Sequence, residues 1–223
     1  MQSRTSIVIG KENVEKLKNS NIAILGVGGV GGYVVEMLAR LGVEKLTIVD
    51  FDTISVSNLN RQIIALNSNI NLLKVDCFKK RLLDINPNIK VEAINKKITK
   101  ENLEQILNKN FDYVIDAIDD IPAKVAVAKY CFKNNINIVA SMGTGNRYKM
   151  PAFEVSDISK TSYDKLAKKL RKMLKDEGVE RLNVVYTKEE VEKTESLGSV
   201  VYYPLMCAGT IVSFVTNEII KNN

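Results

Sequence analysis

The stretch "IAILGVGGVGGYVVEML", Ile22 to Leu38, joins an apolar run to an amphipathic one through a turn crowded with glycine. The short apolar run closed by Gly26 reads as a buried strand, and Val30–Leu41 carries apolar residues at helical spacing. A strand that passes through glycines straight into a helix lets backbone N–H groups approach phosphate oxygens. The helix N-terminus adds partial positive charge behind them. Gly26, Gly28 and Gly31 have the spacing of a dinucleotide fingerprint, and Gly29 is a fourth glycine which that fingerprint does not require. The turn therefore predicts a bound nucleotide. By itself it leaves NAD, FAD, S-adenosylmethionine and ATP open.

The remainder of the chain extends this unit. Strands are expected at Ile22–Gly26, Leu46–Asp50, Lys90–Ala93, Tyr113–Asp116 and Asn137–Ser141, and helices at Val30–Leu41, Leu72–Ile85, Lys100–Leu107 and Ala123–Phe132. Such alternation predicts an α/β, Rossmann-like fold, a mainly parallel sheet with helices on both faces and ligands beyond the C-terminal strand ends. Gly26, Asp50, Asp116 and Ser141 fall at those ends. After Ser141 the pattern changes. A loop, "GTGNRYKMP", precedes a long basic helix from about Ser159 to Glu177, and "RLNVVYT" reads as a strand. "KEEVEKTESLGS" reads as a mobile surface loop, and "VVYYP", with Tyr202 and Tyr203 as strand residues, leads to an apolar C-terminal helix. The expectation is one domain, 1–223, with a nucleotide-binding half (1–145) and a substrate-binding half (146–223).

Composition narrows the chemistry. The chain has no histidine, which excludes histidine bases, Ser-His and Cys-His pairs and histidine-ligated metals. Its three cysteines, Cys77, Cys131 and Cys207, are widely spaced, against a disulfide framework or a four-thiolate zinc site. No signal peptide and no apolar run of bilayer length is read, so a cytoplasmic protein without a membrane partner is expected. A net charge of +6 is a modest pointer to a polyanionic partner such as RNA.

Asp50 follows the glycine turn at the distance of a carboxylate that grips ribose hydroxyls. Asp52 is either a second polar contact or a turn residue. "SNLNRQ" then places Asn58, Asn60, Arg61 and Gln62 in a loop past the second strand, with Lys74 at the start of the next helix. A dinucleotide's pyrophosphate is already met by the glycine turn, whereas a triphosphate extends further and needs such cations. In "YVIDAIDDIPAK", carboxylates beside a triphosphate suit Mg²⁺, and one of Asp119 and Asp120 also suits the cap of the helix near Pro122.

"GVGGVG", "VDFD", "SNLNRQ", Lys74 and "DAIDD", in this order, resemble the adenylating core shared by ubiquitin-activating enzymes and bacterial activators of sulfur-carrier proteins. The resemblance implies ATP with Mg²⁺, attack of a carboxylate on the α-phosphate, and departure of pyrophosphate. It implies ribose contact by Asp50, phosphate contact by Asn58, Arg61 and Lys74, and Asp119 as the metal ligand. Arg4 matches an arginine that the family contributes to the other subunit's site, which implies a homodimer. Zinc-binding CxxC pairs are lacking, so no zinc is expected, and Cys207 sits in an apolar segment that reads as core.

The segment from Met142 to Val179, followed by "LNVVYTKEE", is similar to the tRNA threonylcarbamoyladenosine dehydratases. That resemblance implies adenylation of the carboxylate of the modified adenosine at tRNA position 37, then ring closure with loss of water. Lys165, Lys168, Lys169, Lys172 and Lys175 share one helix face, while Leu166, Leu170 and Met173 share another. Such a basic stripe either follows an RNA backbone or is a solvated surface. The resemblance favours tRNA, and gives residues 146–223 a role in dimerisation as well. The alternative is an adenylyltransferase for a ubiquitin-like sulfur carrier; a sulfur-transfer protein partner stays open.

Overall fold

A computed structural model describes residues 2–221, and they fold around one sheet. β1 (Asn21–Leu25), β2 (Lys45–Val49), β3 (Lys90–Ile94), β4 (Tyr113–Asp116) and β5 (Ile138–Ser141) pair in parallel, as the alternation predicts. β7 (Asn183–Thr187) continues parallel to β5, and β6 (Phe153–Asp157) closes the edge antiparallel to β7. The order is β3-β2-β1-β4-β5-β7-β6. The chain lays β1, β2 and β3 outward in one direction, then resumes with β4 on the other side of β1. That reversal opens a crevice above the C-terminal ends of β1 and β4.

β1 shows why the sheet lies inside. Ile22 and Ile24 belong to the cluster with α3 (Gly29–Leu41), α4 (Lys74–Ile85) and α8 (Tyr202–Lys221). Ala23 and Leu25 belong to the opposite one, with α5 (Leu103–Leu107) and α6 (Ile121–Lys133). All four are fully buried, and each buried Ile or Leu contributes roughly 1.5–3 kcal/mol. On α3, Val30, Val34, Val35 and Leu38 form the helical stripe that meets this core. A third cluster joins Ala140 and Val184 of the sheet to α6 and to Leu170 and Leu174 of α7 (Lys165–Asp176). One sheet thus runs through both expected halves, whose outermost bounds, 1 and 223, lie outside the described residues.

The structure departs from the sequence reading in several elements. Two unforeseen helices, α1 (Ser3–Ile9) and α2 (Lys11–Asn19), precede β1. The basic helix begins at Lys165 rather than Ser159, because the Asp164 carboxylate accepts from Ala167 N–H and ends the helix there. β6 was not foreseen. Tyr202 and Tyr203 are not strand residues but, with Pro204, form the first turn of α8, where proline needs no N–H partner. The 20 residues of α8 are long and apolar enough to cross a membrane, contrary to the expectation of no such run. Here Cys207, Ala208, Ile211, Val212 and Val215 of α8 are buried in the core beside α3.

Candidate active site

Gly26 sits at φ +83°, and a Cβ there would lie 2.8 Å from the Ala117 carbonyl oxygen. Only glycine turns the chain this tightly against the β4–α6 connection. Gly28 caps α3 without a side chain, so the N–H groups of the first turn have no side-chain acceptor. Gly28, Gly29 and Val30 line the crevice, and a methyl on Gly29 would meet Pro204 at 3.4 Å. The floor is bare backbone at a helix N-terminus, a ready anion site. The whole cleft measures about 930 Å³, ample for a nucleotide and part of a second substrate.

Asp50 braces this floor, its Oδ2 accepting from Val27 N–H at 2.8 Å and its Oδ1 from Asp52 N–H at 2.9 Å. Each oxygen keeps a lone pair for a ligand hydroxyl. Asp52 pairs with Lys74, Nζ to Oδ2 2.8 Å, and Lys74 is only 4% exposed. A buried ammonium needs such a partner, and an incoming phosphate would compete for it. Asn58 accepts from Ser55 N–H through Oδ1 at 3.1 Å, which leaves its amide donors for a ligand. Arg61 Nη1 donates to Ser57 O (2.7 Å) and Asn60 Oδ1 (2.9 Å), leaving Nε and Nη2. Gln62 is buried with its Oε1 unpartnered, an acceptor that a ligand N–H or O–H would satisfy. Across the cleft, Asp120 takes the cap of α6 from Ala123 N–H at 2.9 Å. Asp119 lines the cleft, exposed, without a side-chain hydrogen bond or ion pair among the described residues.

Parts of the site were not foreseen. Lys96 and Lys97 border the cleft on the loop after β3, with Lys97 Nζ 5.7 Å from the Phe51 ring centroid. Their position was the available signal, since a loop leaving the strand beside β2 emerges at the ligand edge. The outer wall is made by Ser141 to Gly145, Leu166 of α7 and Leu197 to Ser199. The end of the stretch expected as a mobile surface loop is therefore part of the site. Asn60 Nδ2 donates to Ser199 O at 3.0 Å, Asn146 Nδ2 donates to Thr194 Oγ1 at 2.7 Å, and Asn146 Oδ1 accepts from Gly198 N–H.

With this geometry in view, the comparisons with known proteins are specific. Residues 2–221 match the ThiF family. The chain is 44% identical over 188 residues to Bacillus subtilis tRNA threonylcarbamoyladenosine dehydratase, covering 84% of this chain and 74% of that protein. This chain belongs to the ThiF family, in its tRNA threonylcarbamoyladenosine dehydratase branch. Its fold superposes on E. coli tRNA N6-threonylcarbamoyladenosine dehydratase with a TM-score of 0.94 and 30% identity, over 98% of this chain and 93% of that one. That enzyme has been solved in complex with AMP and with ATP. Haemophilus influenzae molybdopterin-synthase adenylyltransferase is 38% identical, but over 56% of this chain and 51% of that protein.

In this ThiF-family chain Gly31 and Asp116, expected at the ligand edge, lie elsewhere. Gly31 does not line the cleft. A Cβ on it would fall 1.8 Å from the Gly26 carbonyl oxygen, so glycine there lets α3 pack against its own turn. Asp116 is buried beneath the cleft, its Oδ2 3.1 Å from Lys124 Nζ, with both side chains 1% exposed. Burial pushes its carboxyl pKa up, and the Lys124 charge opposes that rise. Arg4 is exposed on α1, outside this cleft. Lys165, Lys168, Lys169, Lys172 and Lys175 are exposed on α7, in no ion pair among the described residues. Cys207 is buried in α8, and burial pushes its thiol up to about 12, unsuited to a nucleophile at neutral pH. A second depression of about 540 Å³, lined by Asn108, Asn110, Asn134 and Asn137, lies at the opposite edge, at the N-terminal ends of β4 and β5. It has neither the glycine turn nor a helix N-terminus.

Proposed function

We propose that this protein uses ATP to adenylate the carboxylate of N6-threonylcarbamoyladenosine at tRNA position 37, after which the side chain cyclises with net loss of water. The observation that carries this reading is one cleft in which a bare helix N-terminus, Arg61, Lys74 and Asp119 converge, with the lysine-rich α7 contributing to its outer wall. The dehydratase relatives, similar along most of the chain, support it. In this reading Gly26, Gly28, Gly29, Asn58, Arg61 and Lys74 bind the triphosphate, Asp50 the ribose and Gln62 a donor group of the nucleotide, with Asp52 releasing Lys74 to the phosphates. Residues 1–145 form the ATP half and 146–223 the tRNA half.

The carboxylate oxygen attacks the α-phosphorus, the bond to pyrophosphate breaks, and Arg61 and Lys74 offset the charge that develops on the leaving group. A nucleophile of the same side chain then attacks the acyl carbon, AMP departs and a proton is released. Ring closure within one side chain needs orientation more than a strong base, since effective molarities reach on the order of 10⁵ M. A histidine-free site therefore suffices. Asp119, uncommitted and at the cleft, fits Mg²⁺, which takes one or two carboxylates and completes its shell with phosphate oxygens and water. Bound there, the metal would neutralise phosphate charge. No cluster of three or more His, Cys, Asp or Glu suited to a metal occurs among the described residues, so phosphate oxygens would supply the remaining ligands.

A homodimer fits the exposed apolar residues of both halves. Nothing on α1 is buried, Ile7 and Val8 stand out from it, and Val201 and Met206 are half exposed. In this reading a second copy covers α1, and Arg4 serves the partner's cleft.

The test is incubation with modified tRNA and ATP. The expected result is a tRNA lighter by one water, with AMP and pyrophosphate formed. Asp119→Ala should slow this by about 100-fold or more. Pyrophosphate exchange stimulated by a small protein ending in Gly-Gly and not by tRNA would instead identify a sulfur-carrier adenylyltransferase.

A further inference from the structure

The three residues before α7 form a γ-turn. Asp164 N–H donates to Ser162 O at 2.8 Å across Tyr163, whose φ is +61°. Turns of this kind are rare and strained, and a bulky aromatic residue in the left-handed region is an outlier. Burial does not offset the strain, because Tyr163 is 73% exposed.

Its neighbours hold it instead. Asp164 is buried, with Oδ1 capping α7 and Oδ2 3.3 Å from Arg147 Nη2. Arg147, itself buried, donates from Nη1 to Gly143 O at 2.7 Å and from Nε to Glu189 O at 2.9 Å. On the other side, Thr161 accepts from Arg171 Nη1 on both its carbonyl and its hydroxyl oxygen, each at 2.9 Å. Both ends of the turn are clamped while the ring stands in solvent. Strain persists where the surroundings over-determine it, and it concentrates at ligand clamps.

The turn also adjoins the cleft. Gly143, gripped by Arg147, and Leu166, three residues beyond Tyr163, both line it. Lys165, Lys168 and Lys169 rise from the same end of α7, exposed and without ion-pair partners among the described residues. An aromatic ring beside unpaired cations is the composition of a single-stranded nucleic-acid site, in which lysines follow the backbone and the ring takes a base. An acidic protein surface would use the lysines, but it gives no reason for a strained, solvent-facing ring.

We propose that Tyr163 is the stacking platform for an unpaired base next to the modified adenosine in the tRNA loop. The proposal rests on the dehydratase reading and names how that site takes hold of its RNA. The test measures binding of a modified anticodon stem-loop, and of ATP, by the full chain as wild type, Tyr163→Gly and Tyr163→Phe. Glycine relieves the backbone strain, so the fold is not put at risk. Tyr163→Gly should weaken RNA binding roughly ten- to a hundredfold, while Tyr163→Phe stays within about twofold. ATP affinity should be the same in all three.

The slope of log affinity against log salt should also be unchanged in Tyr163→Gly, whereas Lys168→Ala lowers its magnitude by about 0.7. Wild-type RNA affinity in Tyr163→Gly, or an equal loss in Tyr163→Phe, overturns the platform alone. A wild-type chain that neither binds nor converts the RNA, but is stimulated by an acidic carrier protein, overturns the dehydratase reading and the platform with it.

Discussion

The floor and the outer wall of the cleft are built by opposite means. The floor is sequence-local and made largely of backbone, with Asp50 bonded to Val27 and Asp52 to Lys74 across 23 and 22 residues. Gly26 and Gly31 sit closer to carbonyl oxygens than any methyl permits. The outer wall is assembled from distant pieces, with Arg147 tying Gly143, Asp164 and Glu189 together and Asn60 reaching Ser199 across 139 residues. Backbone N–H groups suit phosphate, which is common to every nucleotide. Exposed side chains on a wall of long-range parts are what a larger, particular substrate would meet. The first region is intolerant of change, whereas the exposed side chains of the second can vary without loss of the fold.

That contrast is open to direct attack. Gly31→Ala should break the floor outright, because its methyl would fall 1.8 Å from the Gly26 carbonyl oxygen. Chemical denaturation should show a loss of about 3 kcal/mol or more, and ATP binding should disappear. A stable, ATP-binding Gly31→Ala would mean the floor is pliable.

Asp116→Ala strikes between the two regions and leaves Lys124 charged and unpaired in the interior, at a cost of about 3–5 kcal/mol. The pair also gives a pH signature. Burial raises the Asp116 pKa, so above the ordinary carboxylate value the native state keeps a proton that the unfolded chain has released. Stability should therefore fall as pH rises through that window. Asp116→Asn, with no proton to lose, should flatten the slope, and an unchanged slope would place the titration elsewhere.

The mildest expected effect belongs to the outer wall. Lys168→Ala combined with Lys172→Ala should leave stability within about 0.5 kcal/mol and ATP affinity intact. It should lower the salt slope of RNA binding by about 1.4. A wild-type slope would make the stripe a solvated face.

Much of this molecule was legible because its signals are local. The alternation of apolar runs sets five parallel strands, since a strand or helix imposes its own period on the residues that bury it. The glycine spacing predicts a nucleotide, and the family resemblance carried in part by Arg61 and Lys74 narrows that expectation to adenylation. Residue type alone could not say where a side chain goes. Gly31, read as a phosphate contact, serves packing, and Asp116 turns inward to Lys124 rather than to a ligand. Lys96, Lys97 and the 197–199 stretch reach the cleft only because the strand order brings their loops to one edge. Tyr163 is held strained in solvent by partners far away in the chain. Local sequence determined the five parallel strands expected and the glycine-turn floor, since periodicity and turn chemistry act within a few residues. Which side chains meet was decided by the tertiary structure, since burial and long-range pairing depend on how the sheet is ordered.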